Sequence, residues 1–118
     1  MNGINTREQV YALEDYTVEV RRHLHRVAET AGLEFKTIEY IKGEFAKLGI
    51  VAKDVEHGGL IAIMESGRPG KSIIYRADCD ALPMPESDCN LKQPRVCKSE
   101  NPATCHACGH DGHIAIAL

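Results

Sequence analysis

The side chains that could do chemistry are densest near the C-terminal end of the sequence, in the stretch 105–113. This stretch contains two cysteines and three histidines within nine residues. Thiolate and imidazole together are the ligands that borderline-soft divalent metals such as zinc prefer. Gly109 lies between Cys108 and His110 and allows a backbone kink that would point both side chains into one site. The sequence therefore predicts a metal-binding stretch; a loop of inert thiols and a redox pair of Cys105 with Cys108 are the alternatives.

A second group of candidate residues lies in the segment 76–83, where two carboxylates follow a predicted strand. Asp78 and Asp80 would stand at the carboxyl end of that strand, which is where open α/β sheets usually bind ligands. Asp80 could accept a hydrogen bond from a metal-bound histidine or reach the metal directly. Aspartates also often form turns, so a purely structural role fits the pattern equally well. The basic run 21–26, in contrast, is typical of a solvated helix face.

The elements that must position these residues follow from the periodicity of the apolar side chains. Apolar spacings of three and four residues predict two amphipathic helices, and short β-rich runs bounded by turn residues predict two strands. A further helix is expected to begin with an Asp or Gly cap near Asp111. This order of elements predicts an α/β fold in which two long helices pack on a mixed sheet. The predicted elements are helices over 7–30 and 35–48, strands over 60–64 and 72–77, an irregular segment over 78–108, and a helix from 111 onward.

Composition and charge argue against several other classes of protein. The chain has 118 residues, of which 43% are apolar and 26% charged, and these fractions are ordinary for a folded globular domain. Fourteen Lys and Arg against seventeen Asp and Glu give a net charge of −3, which argues against a dedicated nucleic-acid or anionic-membrane binder. No apolar run is long enough to span a membrane, and the polar stretch 1–8 lacks the apolar core of a signal peptide. We therefore expect a cytoplasmic protein.

The cysteine content is high for such a protein. There are five cysteines, an odd number, and all lie in the C-terminal third of the chain. A disulfide framework requires an oxidising compartment, and the sequence does not direct the chain to one. Free thiols or metal ligands are therefore the expected states.

The last residues, 114–118, are all apolar and resemble a helix that is cut off in mid-pattern. We therefore expect a fragment of a longer chain. An apolar strip without a partner would be exposed and would make the fragment tend to associate.

Three segments carry motifs in the order and approximate spacing of one enzyme family. The segment 21–29 is similar to Arg-Arg-x-Leu-His-x-x-Pro-Glu, and 76–86 is similar to Arg-Ala-Asp-Met-Asp-Ala-Leu-Pro-Ile-x-Glu. The segment 106–113 matches His-Ala-Cys-Gly-His-Asp-Gly-His without a mismatch. Together they resemble the M20 metallopeptidase and aminoacylase family, in the amidohydrolase branch that contains hippurate hydrolase, N-acyl-amino-acid amidohydrolases and auxin-conjugate hydrolases. Among the departures from these motifs, Ala28 replaces the proline and Cys79 the methionine.

This resemblance implies that 1–118 is the N-terminal part of an M20-like catalytic domain, without the lid and dimerisation domain and the C-terminal part. It implies that Cys108 and His110 are metal ligands, the cysteine as a bridging thiolate, and that Asp80 is a catalytic-site residue that orients a ligand. The complete site would hold two divalent ions, of zinc, manganese, cobalt or nickel. The implied reaction is hydrolysis of the amide bond of an N-acyl amino acid or small peptide, by full-length proteins that are homo-oligomers. Because the general base and the other ligands would lie further along the chain, we expect the fragment to be inactive alone.

A small structural zinc module is the alternative from a different class of protein. Cys89, Cys97, Cys105 and Cys108 could close a tetrahedral four-thiolate site. This alternative leaves the segment 76–83 and the two long helices without a role. The metal-dependent amidohydrolase is therefore the favoured hypothesis.

Overall fold

The computed structural model describes residues 5–118, and the first third of the chain is helical. The helices there are α1, Thr6–Ala12; α2, Glu14–Val27; and α3, Phe35–Lys47. The polar stretch 1–8 discussed above lies partly outside the described residues. Helix α3 agrees with the prediction over 35–48, and the chain leaves it through Gly49, whose φ of 72° suits a residue without a side chain.

The single helix predicted over 7–30 is instead two helices, and the second ends early. At Leu13 the backbone N–H bonds to the carbonyl of Val10 at 3.1 Å, which tightens the turn between α1 and α2. Because α1 has no buried residue, packing does not hold it in line with α2. Helix α2 ends at Ala28, which adopts a left-handed φ of 37° and donates its N–H to the carbonyl of Leu24. The prediction of one continuous helix is therefore wrong.

The core lies between α2, α3 and a last helix, α4, which spans His110–Ala117. Val20 and Leu24, one turn apart on α2, are almost fully buried, as is Ile114 of α4. Ile41 of α3 completes this apolar cluster. Part of the C-terminal apolar strip thus does find a partner, which the sequence did not lead us to expect. Ile116, on the opposite side of α4, remains mostly exposed.

The sheets are two separate antiparallel pairs, which with the helices confirm the predicted mixture of helix and sheet. The strands are β1, Ala52–Asp54; β2, Leu60–Ala62; β3, Cys89–Asn90; and β4, Gln93–Pro94. β1 pairs with β2 and β3 with β4, and α3 packs on the first pair. His57, Gly58 and Gly59 all have positive φ in the turn between β1 and β2, as the glycines there led us to expect.

The strand predicted over 72–77 does not form in this structure. Within residues 5–118 it pairs with no other strand, and Ile73 and Ile74 are each more than nine-tenths exposed. A strand gains stability from the ladder and packing of its neighbours, so a β-rich sequence alone does not make one. We refer to 72–77 as the open apolar segment.

The segment 78–108 is largely irregular, as predicted, but short backbone bridges tie it down. Ala81 donates to the carbonyl of Glu29 at 2.7 Å. Leu82 and Cys105 exchange two backbone hydrogen bonds, of 2.9 and 3.0 Å. Gly109, with a φ of 89°, then opens α4. No helix among the described residues is long and apolar enough to cross a membrane.

Candidate metal site

Three residues singled out in the sequence lie together at the start of α4. Nδ1 of His110 is 2.9 Å from the backbone carbonyl of Asp80 and 3.0 Å from its carboxylate Oδ1. Sγ of Cys108 is 4.0 Å from the same carbonyl, although 28 residues separate Cys108 from Asp80. The bridge between Leu82 and Cys105 brings the two segments side by side. We call these residues, Asp80, Cys108 and His110, the Asp80 cluster.

The hydrogen bonds in the Asp80 cluster fix the state of the histidine ring. The backbone carbonyl of Asp80, 2.9 Å from His110 Nδ1, can only accept a hydrogen bond. Nδ1 must therefore carry the proton, and in a neutral ring this leaves the lone pair on Nε2. Metal-binding histidines are commonly oriented in this way, by a carboxylate or a carbonyl on the second nitrogen.

The donor chemistry of the cluster fits a divalent metal. The Cys108 thiol is exposed and the His110 side chain retains 23% of its accessible surface, so both can be reached from solvent. A thiolate and an imidazole are a suitable pair of donors for zinc and related ions. Asp78, the other carboxylate considered above, instead pairs with Arg76 at 2.8 Å. Asp78 is therefore engaged in a surface ion pair.

A second polar group lies directly behind the Asp80 cluster and is centred on His25 of α2. His25 Nδ1 is 2.7 Å from Asp111 Oδ2, and Nε2 is 2.7 Å from Glu86 Oε1. Arg21 reaches the same Asp111 oxygen through Nε at 2.8 Å. His25 and Asp111 are almost completely buried. We call His25, Glu86 and Asp111, together with Arg21, the His25 bridge.

The pKa values in the His25 bridge shift so as to favour charges of opposite sign. The hydrogen bond to Asp111 raises the pKa of His25, and this outweighs burial, which lowers it. Burial by itself raises the pKa of Asp111, but the hydrogen bond from His25 and the charge of Arg21 leave it lowered. The same holds for Glu86, where bonds from the Ser99 N–H and from His25 overcome the effect of burial. Sequence reasoning missed this group because the run 21–26 was interpreted as a solvated face.

The chain resembles known hydrolases over almost all of its length, although no family model matches it. It is 34% identical over 118 residues to thermostable carboxypeptidase 2 of Saccharolobus solfataricus, covering 95% of this chain and 28% of that one. It is 36% identical over 103 residues to N-acetyldiaminopimelate deacetylase of Listeria monocytogenes serotype 4a, covering 86% of this chain and 26% of the relative. The crystal structure of the Bacillus subtilis YXEP protein, described as a dinuclear metal-binding peptidase of the M20 family, superposes with a TM-score of 0.75 at 34% identity. That match covers 89% of this chain and 28% of the other.

Over most of its length the chain is therefore similar to hydrolases, among them a solved peptidase of the M20 family. The resemblance inferred from the three motifs is therefore confirmed. The chain spans about a quarter of the length of the curated relatives that it matches. All three motifs meet in its structure, because His25 belongs to the first, Asp80 and Glu86 to the second, and Asp111 to the third.

The five thiols of this chain are all free. Cys97 and Cys105 are buried, whereas Cys89 and Cys108 are exposed. Cys97 donates a hydrogen bond to the backbone carbonyl of Arg22 at 3.5 Å. Over residues 5–118, no group of three or more His, Cys, Asp or Glu side chains is arranged to hold a metal ion. Among these residues the four thiols of the alternative zinc module are thus not gathered into such a group.

His106, the first residue of the third motif, is buried but has no role in the Asp80 cluster. Neither of its ring nitrogens has a hydrogen-bond partner within the part of the chain that the structure describes. Burial lowers the pKa of His106, so the ring is neutral at neutral pH. Its centroid lies 6.3 Å from that of His25, which places an uncharged ring beside the His25 bridge.

Proposed function

We propose that this chain belongs to a metal-dependent amidohydrolase and supplies two of its metal ligands, Cys108 and His110. The observation that carries the proposal is the bond from His110 Nδ1 to Asp80, which leaves Nε2 free to bind a metal. Asp80 therefore acts by orienting a ligand. The exposed thiol of Cys108 lies 4.0 Å from the backbone carbonyl of Asp80, which also bonds to His110, so it is within reach of the same ion.

A divalent ion bound there would polarise the scissile carbonyl and lower the pKa of a bound water. The contribution of this chain is to hold the donors in place. Asp80 sets the tautomer of His110, and after the left-handed Gly109 both Cys108 and His110 lie against the backbone carbonyl of Asp80. Zinc, manganese, cobalt and nickel all accept such donors. A second ion is supported by the relative that is described as a dinuclear metal-binding peptidase.

The substrate class that we propose is the amide bond of an N-acyl amino acid or a small peptide. Relatives named carboxypeptidase and N-acetyldiaminopimelate deacetylase support it, because both names describe the cleavage of an amide. The Asp80 cluster contains no carboxylate free to act as general base, since Asp80 is bonded to His110. We therefore propose that the chain alone does not turn over substrate. A cytoplasmic location and a homo-oligomeric full-length protein are parts of the same proposal.

A cobalt titration of the 118-residue chain tests the proposed ligands. Cobalt bound by a thiolate gives a charge-transfer absorption, so the signal reports the cysteine directly. We expect weak binding with a thiolate band that is lost in Cys108→Ser and kept in Cys89→Ser, the matched exposed thiol. Asp80→Asn should weaken binding about 10- to 100-fold, as is usual for residues that orient a metal ligand.

Two results would contradict the proposal. A thiolate band that survives Cys108→Ser would show that this residue is not a ligand. Loss of metal and of structure when Cys89 and Cys97 are both replaced by Ser would instead support the structural zinc module.

A further inference from the structure

The His25 bridge joins three distant parts of the chain through one buried imidazole. His25 on α2 is 2% exposed, and its two nitrogens contact carboxylates that lie 61 and 86 residues away. One carboxylate belongs to Glu86 in the irregular segment, and the other to Asp111 in the first turn of α4. A side chain with partners at both ends cannot turn without breaking one of the two bonds.

The geometry determines which groups donate. Carboxylate oxygens only accept hydrogen bonds, so contacts of 2.7 Å from both ring nitrogens require His25 to donate twice, as an imidazolium. The surroundings keep the carboxylates ionised. Arg21 contacts Asp111 at 2.8 Å, and the Ser99 N–H donates to the second oxygen of Glu86 at 2.6 Å.

The charges of the group are arranged so that each buried carboxylate has more than one donor. Glu86 also has Arg95 nearby, with Nη1 at 3.5 Å from Oε1. Arg21 and His25 converge on one oxygen of Asp111, with Arg21 Nη2 at 3.0 Å from His25 Nδ1. The two cations repel each other, so the arrangement depends on the ionised Asp111 between them. Removing one member of such a buried group leaves the others uncompensated, which is costly.

The connection to the candidate metal site runs through Asp111. Asp111 directly follows His110, and its second oxygen accepts the N–H of Gly112 at 2.9 Å. Its carboxylate therefore holds the first turn of α4 to α2 at the residue next to His110. Asp80 holds the ring of His110 through Nδ1.

We propose that His25 is a positioning residue for the metal site, and that by donating to Asp111 and Glu86 as an imidazolium it fixes the first turn of α4 and so the direction of His110. This inference rests on the proposed function, since it assigns His25 a part in the same site. It differs from a purely structural role, because it requires that losing His25 disturbs His110 even where the chain remains folded.

The test compares His25→Gln with His23→Gln on the same helix. The ring of His23 stacks on that of Tyr40 with centroids 3.9 Å apart, and within residues 5–118 His23 forms no side-chain hydrogen bond or ion pair with the His25 bridge, so its variant controls for loss of a helix histidine. Nitrogen-15 NMR of the imidazole rings gives two readouts that need no metal. In the wild-type chain we expect both nitrogens of His25 to be protonated and His110 to show one tautomer, with the proton on Nδ1.

His25→Gln should give a mixture of His110 tautomers and a cobalt affinity about 10- to 100-fold lower, at a temperature where circular dichroism shows a folded chain. His23→Gln should change neither. Asp111→Asn should resemble His25→Gln, and the double variant should add little, since both changes break the same connection.

The inference is overturned if folded His25→Gln keeps the single His110 tautomer, or if wild-type His25 carries one ring proton. If the thiolate band survives Cys108→Ser, Cys108 is not a ligand and the proposed function fails. The tautomer of His110 still decides the role of His25 in that case. If His25→Gln does not fold, Glu86→Gln replaces it, because it preserves shape and removes one charged partner.

Discussion

The end of helix α2 provides a direct test of how far the structure departs from the motif that the sequence resembles. The motif has proline at the position of Ala28, but Ala28 has a φ of 37° and is completely buried. Proline has a φ near −65° and no N–H. Ala28→Pro should therefore destabilise this chain, although it restores the motif.

The size of the effect follows from three local losses. The N–H of Ala28 bonds to the Leu24 carbonyl at 3.1 Å, and losing that bond costs about 1 kcal/mol. The φ angle would have to change by roughly 100°, which displaces the Ala28 carbonyl that accepts the Thr104 hydroxyl. It also shifts the next carbonyl, of Glu29, which accepts the N–H of Ala81. Together we expect a loss of about 3 kcal/mol or more.

The matched control is Ala28→Gly. Glycine relieves the left-handed strain, by roughly 1–2 kcal/mol, but gives up a buried methyl group worth about 0.8 kcal/mol. Its net effect should therefore lie within about 1 kcal/mol of zero. Urea unfolding followed by far-UV circular dichroism measures both variants, and a 3 kcal/mol loss should lower the midpoint by about 1–3 M. An Ala28→Pro chain as stable as the wild type would show that the left-handed turn is not required by this fold.

Packing, charge and exposed surface each give a further prediction. Leu24→Ala, at a fully buried position, should lower the free energy of unfolding by about 2–5 kcal/mol, whereas the exposed Leu33→Ala should change it by less than about 0.5 kcal/mol in the same urea assay. Stability should be highest between about pH 4.5 and 6.5. The raised pKa of His25 stabilises the fold below pH 6.5, and this stabilisation is lost as pH rises through the folded pKa. The lowered pKa of Glu86 stabilises the fold above pH 4.5, and this stabilisation is lost as pH falls through the folded pKa. Urea midpoints measured from pH 3 to 9 check this, and a profile rising steadily with pH would contradict it. The chain should associate at high concentration, and replacing both isoleucines of the open apolar segment with lysine should reduce this in sedimentation velocity; a wild-type chain that stays monomeric would refute it.

Features set by local sequence were the most predictable. Helix α3 has an apolar face and a glycine stop, and both its ends lie within a residue of the prediction. The approach of Asp80 to the stretch 105–113 was also expected, from the family motifs and from the position of Asp80 after a β-rich run. The ligand and catalytic roles assigned to these residues stay predictions.

Features that depend on distant partners were not predictable. The β-rich pattern of 72–77 could not show that the segment has no neighbouring strand among the described residues. His25 was hidden in a basic run, because its carboxylate partners are 61 and 86 residues away and periodicity reports only local spacing. The signal that the sequence did offer was a glutamate in the second motif and an aspartate in the third. That both contact His25 could be seen only in the folded chain.

The packing of α2 against α4 also determines when this protein can fold. His25 and Asp111 are separated by 86 residues, and closing a flexible loop of that length costs about 4 kcal/mol in chain entropy. Core contacts of such long range form slowly, since this entropy is lost before the contacts can offset it. On the ribosome, α2 emerges long before Ile114, its main apolar partner on α4. During synthesis the part of the α2 face that Ile114 covers, beside Val20 and Leu24, therefore remains open to chaperones until residue 114 has been made.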